Sequence, residues 1–208
     1  MSITRVLAEK NSRETLSGNV VVWLTPIHKS GTSFAPAPRK TYTLAQKDKR
    51  FYPHVLVVPS GSNVDFPNFD PFFHNVFSLF NGKRFDLGLY EPNTDRSVLF
   101  DREGVSYIFC NIHPEMGAVI ITVNTPYYGV SSRDGTIIIR NVQPGSYRMS
   151  VWAENVTTDN LSALGRVVDI GPQSKDLGTL HLQATADTMS HHMNKFGELY
   201  PPQPKGPY

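Results

Sequence analysis

The apolar runs of this chain are short, and that constrains its fold more than any other feature. They are rich in Val, Ile, Tyr, Phe and Trp, and Gly, Pro, Asn or Asp ends each one within a few residues. Before residue 184 no helical periodicity lasts longer than a turn or two. β-branched and aromatic side chains suit a pleated, half-buried surface, so the runs predict strands. The candidates are Val20–Leu24, His54–Val58, Val64–Phe66, Asn75–Leu79, Ser97–Phe100, Ser106–Phe109, Gly117–Val123, Thr136–Ile139, Tyr147–Trp152 and Arg166–Ile170. Asp134-Gly135 and Pro144-Gly145 predict tight turns, because glycine reaches positive φ without a steric penalty. With 16 Pro and 15 Gly in 208 residues, the expectation is an all-β sandwich or barrel.

Charge and hydropathy exclude other classes. Charged residues make up 18%, too few for a long coiled coil, while 39% hydrophobic residues suffice for a core. A net charge of +2 gives no footprint for nucleic acid. No apolar run approaches the ~18 residues that a membrane-spanning helix needs. The segment Met1 to Glu9 lacks the apolar core of a signal peptide, so the compartment has to be argued from chemistry. Composition divides the chain. Residues 26–40 read as a loop or linker. Residues 41–124 are dense in aromatics. Residues 184–208 are polar and proline-rich, and are expected to be a loosely held tail.

Cys110 is the only cysteine, which excludes an internal disulfide, a Cys-rich zinc site and a Cys-x-x-Cys redox pair. It stands in Cys110-Asn111-Ile112-His113-Pro114-Glu115-Met116, at the end of a predicted strand. A thiol, an imidazole and a thioether thus share one short loop. A second imidazole, His74, opens another predicted strand. Singly, each residue reads as ordinary: an inert buried thiol, a hydrogen-bonded histidine, a core methionine. Together, soft sulfur donors with two imidazoles select copper, and two His, one Cys and a weak axial Met make an electron-transfer site. The expected metal ligands are therefore His74, Cys110, His113 and Met116.

At these residues the sequence resembles the cupredoxin family, over roughly 41–124. Gln46 through Pro53, Val55 to Val58 and Gly61 to Asn68 are similar to the family's opening strands, and Asp70 through Val76 to its first histidine segment. The Cys-x-x-His-x-x-Met spacing resembles the short loop of amicyanin-type members. The resemblance implies one type 1 (blue) copper site, with His74, Cys110 and His113 equatorial and Met116 axial. It implies that Asn75 ties the two ligand segments together, with Asn111 and Pro114 also adjoining the ligands. It implies that His113 faces an apolar rim (Pro114, with Pro71, Phe72 and Phe73) where redox protein partners dock transiently. Phe109 and Asn111 flank the cysteine where a multicopper relay has histidines, and four protein ligands leave no open position. The expectation is an electron carrier and not an enzyme.

The flanking sequence carries a second resemblance. Asp134 to Ile139, Asn141 to Trp152 and Gly18 to Leu24 are similar to the carboxypeptidase regulatory-like (transthyretin-like) β-sandwich. The expected organisation is that sandwich over 1–40 plus 125–183, with a cupredoxin Greek-key sandwich over 41–124 inserted in it or fused to it, and a tail over 184–208. The combination resembles bacterial proteins labelled methylamine-utilisation or plastocyanin-like. Copper carriers of this kind work outside the cytoplasm, so a periplasmic or otherwise exported protein is expected. Alternatives are a copper carrier, store or sensor, a structural or carbohydrate-binding surface module, and a zinc site that Met116 would serve poorly. His54 reads as a plain packing or hydrogen-bonding residue, the alternative being a group that adjoins the ligands or an outer copper ligand. His181, His191 and His192 with Met189 and Met193 form a loose cluster that could capture Cu(I).

Overall fold

The computed structural model describes residues 3–10, 19–27, 40–79, 82–185 and 192–200. The chain is all-β, as expected, with one short helix. It divides into two compact units: residues 1–40 with 123–186, and residues 41–122 with 187–208. The first unit opens with β1 (Ile3–Lys10) and β2 (Val20–Pro26). The second is built from β3 (Thr41–Thr43), β4 (Ala45–Lys47), β5 (Arg50–Tyr52), β6 (Val55–Pro59) and β7 (Ser62–Asp65). It continues through β8 (His74–Ser78), β9 (Phe85–Tyr90), β10 (Ser97–Phe100), β11 (Gly104–Phe109) and β12 (Gly117–Val123). The chain then completes the first unit with β13 (Tyr128–Val130), β14 (Thr136–Arg140), β15 (Gly145–Ala153), α1 (Thr158–Leu164), β16 (Arg166–Ile170) and β17 (Lys175–Leu182).

The first unit is two sheets over one core. One runs β14-β1-β17 and the other β13-β2-β15-β16. The core draws on both: Val6, Ile137, Ile139 and Leu180 from the first, Val22, Leu24, Tyr147 and Met149 from the second. In β14 the period of two is plain, since Ile137 and Ile139 are buried while Ile138 and Arg140 are exposed. Gly135 closes the turn before it at φ 81°, where the Asp134 carboxylate also accepts from the Thr136 N–H. The helix α1 is capped by the Thr157 side chain, which accepts from the Asn160 N–H, and buries no residue completely.

The second unit also packs sheet on sheet. A five-stranded sheet, β6-β12-β11-β8-β9, faces a three-stranded one, β10-β7-β3, with β4-β5 as a separate ribbon. Val64, Phe66, Val98 and Phe100 meet Val76, Ile108, Ala118 and Ile120 in one core, and Cys110 and Met116 belong to it. Strands β11 and β12 pair antiparallel, with Phe109 opposite Gly117. The Cys110–Met116 loop is therefore the connection at one end of a hairpin. Strand β8 lies beside β11, Phe77 opposite Phe109, and brings its first residue, His74, to that same end.

Candidate metal centre

Cys110 and Met116 close the loop between β11 and β12. The Cys110 N–H donates to the Met116 carbonyl at 3.2 Å, and the Met116 N–H to the His113 carbonyl at 3.1 Å. These bonds turn the His113 side chain back over Cys110. His74 is fully buried and His113 half-buried.

Three of the expected ligands converge. Cys110 Sγ lies 3.8 Å from His74 Nδ1 and 3.6 Å from His113 Nδ1, and the two Nδ1 atoms lie 3.1 Å apart. Among the described residues, His74, Cys110 and His113 form a group able to hold a metal ion. A point in the plane of these three atoms and equidistant from them lies about 2.0 Å from each, the length of an imidazole–metal bond and about 0.3 Å short of a thiolate–metal bond. Met116 is fully buried and shares the core of Cys110.

The electrostatics fit a cation. His74 Nε2 bonds Asp70 Oδ2 at 2.8 Å. A carboxylate only accepts, so the proton of neutral His74 sits on Nε2 and Nδ1 presents a lone pair to the group. Burial lowers the His74 pKa against the opposing pull of Asp70. Burial, with His74 as neighbour, lowers that of His113. Both imidazoles are thereby held as neutral donors. Burial also pushes the Cys110 thiol up, while the N–H groups of Asn75, Ile112 and His113 aim at its sulfur and favour the thiolate. Two imidazoles and a thiol crowded on one buried point are an arrangement that a metal ion completes, displacing the thiol proton.

Asp70 is a residue that sequence reasoning left without a role. It is nearly fully buried. Burial would raise its pKa, but the bonds from His74, the Lys49 N–H and the Asp48 N–H win and hold it below the ordinary carboxylate range. Its own N–H donates to Asn68 Oδ1 at 3.0 Å, and Asn68 Nδ2 to the Phe72 carbonyl at 2.8 Å, so the whole 68–72 turn is tied. The signal was an acid four residues before a histidine. That spacing has no meaning until a turn folds one over the other.

Asn75 meets the ligand loop through its backbone rather than its side chain. Its side chain donates to Asp86 Oδ1 on β9 at 2.7 Å and does not bridge to the ligand loop; only its backbone N–H reaches toward Cys110. Asn75 lies on β8, whose hydrogen-bonded neighbour β9 supplies the nearer acceptor. Asn111 Oδ1 accepts from the Lys195 N–H at 2.9 Å. Pro114 is half-buried beside His113. Phe72 packs against both imidazoles, with centroids 5.2 Å from His74 and 5.5 Å from His113. Phe69, Phe73 and Ile112, on the two ligand-bearing segments, are 59%, 48% and 37% exposed.

The remaining candidates lie elsewhere. His54 Nδ1 bonds the Gly117 carbonyl at 3.1 Å and is not part of the metal group. His181 stands beside Glu9 in the first unit. Met189 and His191 lie outside the described residues, and Met193 is exposed. His192 stacks on Phe109. Residues 192–200, expected as part of a loosely held tail, are in fact held on the second unit by Lys195 and Tyr200. No described helix is long and apolar enough to cross a membrane.

No family model matches the chain, and no curated protein matches it. Among solved structures it is similar to a purple cupredoxin from Nitrosopumilus maritimus, at 21% identity and TM-score 0.36, over 39% of this chain and 99% of that one. It is similar to amicyanin from Paracoccus versutus at 19% identity and TM-score 0.37, over 43% of this chain and 85% of that one. It is also similar to a Cu-containing nitrite reductase from Thermus scotoductus, at 23% identity and TM-score 0.39, over 49% of this chain but only 26% of that one. The chain is an all-β protein whose second unit brings two imidazoles and its only thiol to one buried point.

Proposed function

We propose that the second unit holds one copper ion on His74 Nδ1, Cys110 Sγ and His113 Nδ1, with Met116 as fourth donor, and carries single electrons between redox proteins. The observation that carries this reading is the triangle of two Nδ1 atoms and one sulfur beside a buried methionine. A His₂Cys set with a weak thioether is the donor set of copper electron-transfer sites; zinc prefers four N, S or O ligands and seldom takes thioether. When bound, copper supplies a one-electron couple.

The chain's own residues supply the rest. Asp70 fixes the His74 tautomer and ring direction. Phe72 covers both imidazoles and limits water. Rigid strands at either end of the ligand loop hold the donors in one arrangement, which keeps reorganisation small. Four protein donors leave no open position, which favours a carrier over an enzyme. Partners would dock weakly on the apolar side chains near His113, with Phe69, Phe73 and Ile112 supplying area. The chemistry favours an exported, periplasmic setting. In this reading the first unit, similar in sequence to a transthyretin-like sandwich, is a companion module without a metal role.

The test is a titration of the metal-free protein with Cu(II), followed by visible absorption, beside Cys110→Ser. An intense thiolate-to-copper band at one copper per chain, absent from the variant, is expected. A colourless complex that the substitution leaves unchanged would overturn electron transfer and favour copper storage or zinc.

A further inference from the structure

Residues 192–200 form neither strand nor helix, yet they meet three consecutive residues around the sulfur donor. The His192 ring stacks on Phe109, with centroids 4.0 Å apart and planes at 23°. The Tyr200 hydroxyl donates to the Cys110 carbonyl at 2.7 Å. The Lys195 N–H donates to Asn111 Oδ1 at 2.9 Å. Tyr200 also packs edge-on against His192, centroids 5.2 Å apart, so the two anchors brace each other.

A second route reaches the same cysteine from its other side. The Lys195 ammonium pairs with Asp86 Oδ2 at 2.7 Å. Asp86 Oδ1 accepts from Asn75 Nδ2 at 2.7 Å, and the Asn75 N–H aims at Cys110 Sγ. The segment thus bears on both the carbonyl and the sulfur of one residue.

Burial of its apolar side chains does not hold this segment in place. Phe196 and Leu199 are 71% and 77% exposed. Ordering a backbone loses roughly 1–2 kcal/mol of entropy per residue. For this segment the opposing contacts sit largely on residues 109–111 and on Asp86.

We propose that residues 192–200 are a strap that positions the sulfur ligand, with Tyr200 as the positioning residue for Cys110. This rests on the reading of His74, Cys110 and His113 as a metal centre. The hydroxyl of Tyr200 fixes the Cys110 peptide, and through it the direction in which the side chain leaves the backbone. His192 covers the neighbouring ring, and Lys195 holds the Asp86–Asn75 link. Anything that lifts the strap loosens the thiol, and by linkage a bound ion tightens the strap.

Cys110 is the only cysteine, so the metal-free full-length chain can be tested with an aromatic disulfide that reports thiol access. Tyr200→Phe keeps the ring and removes the hydroxyl that meets the Cys110 carbonyl and His192 Nδ1. A net hydrogen bond of that kind corresponds to about a threefold to tenfold faster labelling. Leu199→Ser, in the same segment but facing outward, should label at the parental rate. In the copper-loaded chain Tyr200→Phe should also shift the position of the thiolate-to-copper band, which a merely structural role would leave alone. An unchanged labelling rate in Tyr200→Phe overturns the strap, as does an equal rise in Leu199→Ser. If Tyr200→Phe does not fold, Lys195→Met, which removes the Asp86 pairing and the ammonium over the exposed Phe196 ring, should label faster than the parent, and a parental rate there overturns the proposal. If the parent forms no coloured copper complex, the proposed function fails, and the labelling comparison still decides the strap.

Discussion

Asp70 Oδ2 and His74 Nε2 lie 2.8 Å apart, both buried, with the carboxylate held in turn by the N–H groups of Asp48 and Lys49. The pair decides which imidazole nitrogen is free, and so whether His74 can act as a donor at all. Removing such a partner ordinarily costs about ten- to a hundredfold in metal affinity. Asp70→Ala should weaken copper binding by that factor in a competition titration with a chelator. Retention of full affinity would show that packing against Phe72 alone orients His74.

Met116 gives a separate check on the fourth donor. Met116→Leu nearly conserves volume, so stability should fall by less than about 1.5 kcal/mol. Copper should stay bound through the other three residues. Losing a donor favours the less charged ion, so the reduction potential measured by voltammetry should rise. A potential equal to that of the parent would remove Met116 from the ligand set.

The metal-free chain should lose stability in acid in two stages. Burial depresses the pKa of His74 and His113. A group with a depressed folded pKa binds more protons when unfolded, so stability falls as pH drops below about 6.5, the ordinary histidine value. Asp86 is opposed by burial but held low by Lys195, Asn75 and Gly88, and Asp70 is held low as well. Their contribution is present above the ordinary carboxylate range and is lost as pH falls through their depressed values. Urea midpoints should therefore decline from pH 7.5 to 5.5 and again below pH 4. A flat midpoint between pH 7.5 and 5.5 would contradict the first stage.

The two units can be followed separately by spectroscopy. The only tryptophans, Trp23 on β2 and Trp152 on β15, both belong to the first unit. Leu24 is fully buried in that unit's core. Leu24→Ala should destabilise the tryptophan-reported transition by about 2–5 kcal/mol in chemical denaturation, depending on how far the cavity collapses. A loss below 1 kcal/mol would mean the two sheets close over the gap, on the scale of cavity relaxation.

Strand content was legible where one face alternates or the run is wholly apolar. Thr136–Arg140 alternates, and Val20–Leu24 and Gly117–Val123 are nearly continuous. Ile3–Lys10 and Lys175–Leu182 escaped notice, because Arg5, Glu9, Lys175 and Asp176 dilute their apolar positions. Their pairing with each other joins residues more than 160 apart in sequence, and local pattern has no access to that. Phe85–Tyr90 was missed for a similar reason, since Asp86 and Gly88 interrupt it.

By itself the sequence determined the all-β character, the single thiol and a loop carrying Cys110, His113 and Met116, because β-branched runs and soft donors at short spacing have local causes. Tertiary structure decided what those groups face. It brought His74 across from β8, aimed its Nδ1 inward by folding Asp70 over Nε2, sent the Asn75 side chain to Asp86, and laid Tyr200 against the Cys110 carbonyl. Each is a contact between segments, set by strand pairing and by the cost of leaving a buried polar group unpaired, and no spacing along the chain encodes either.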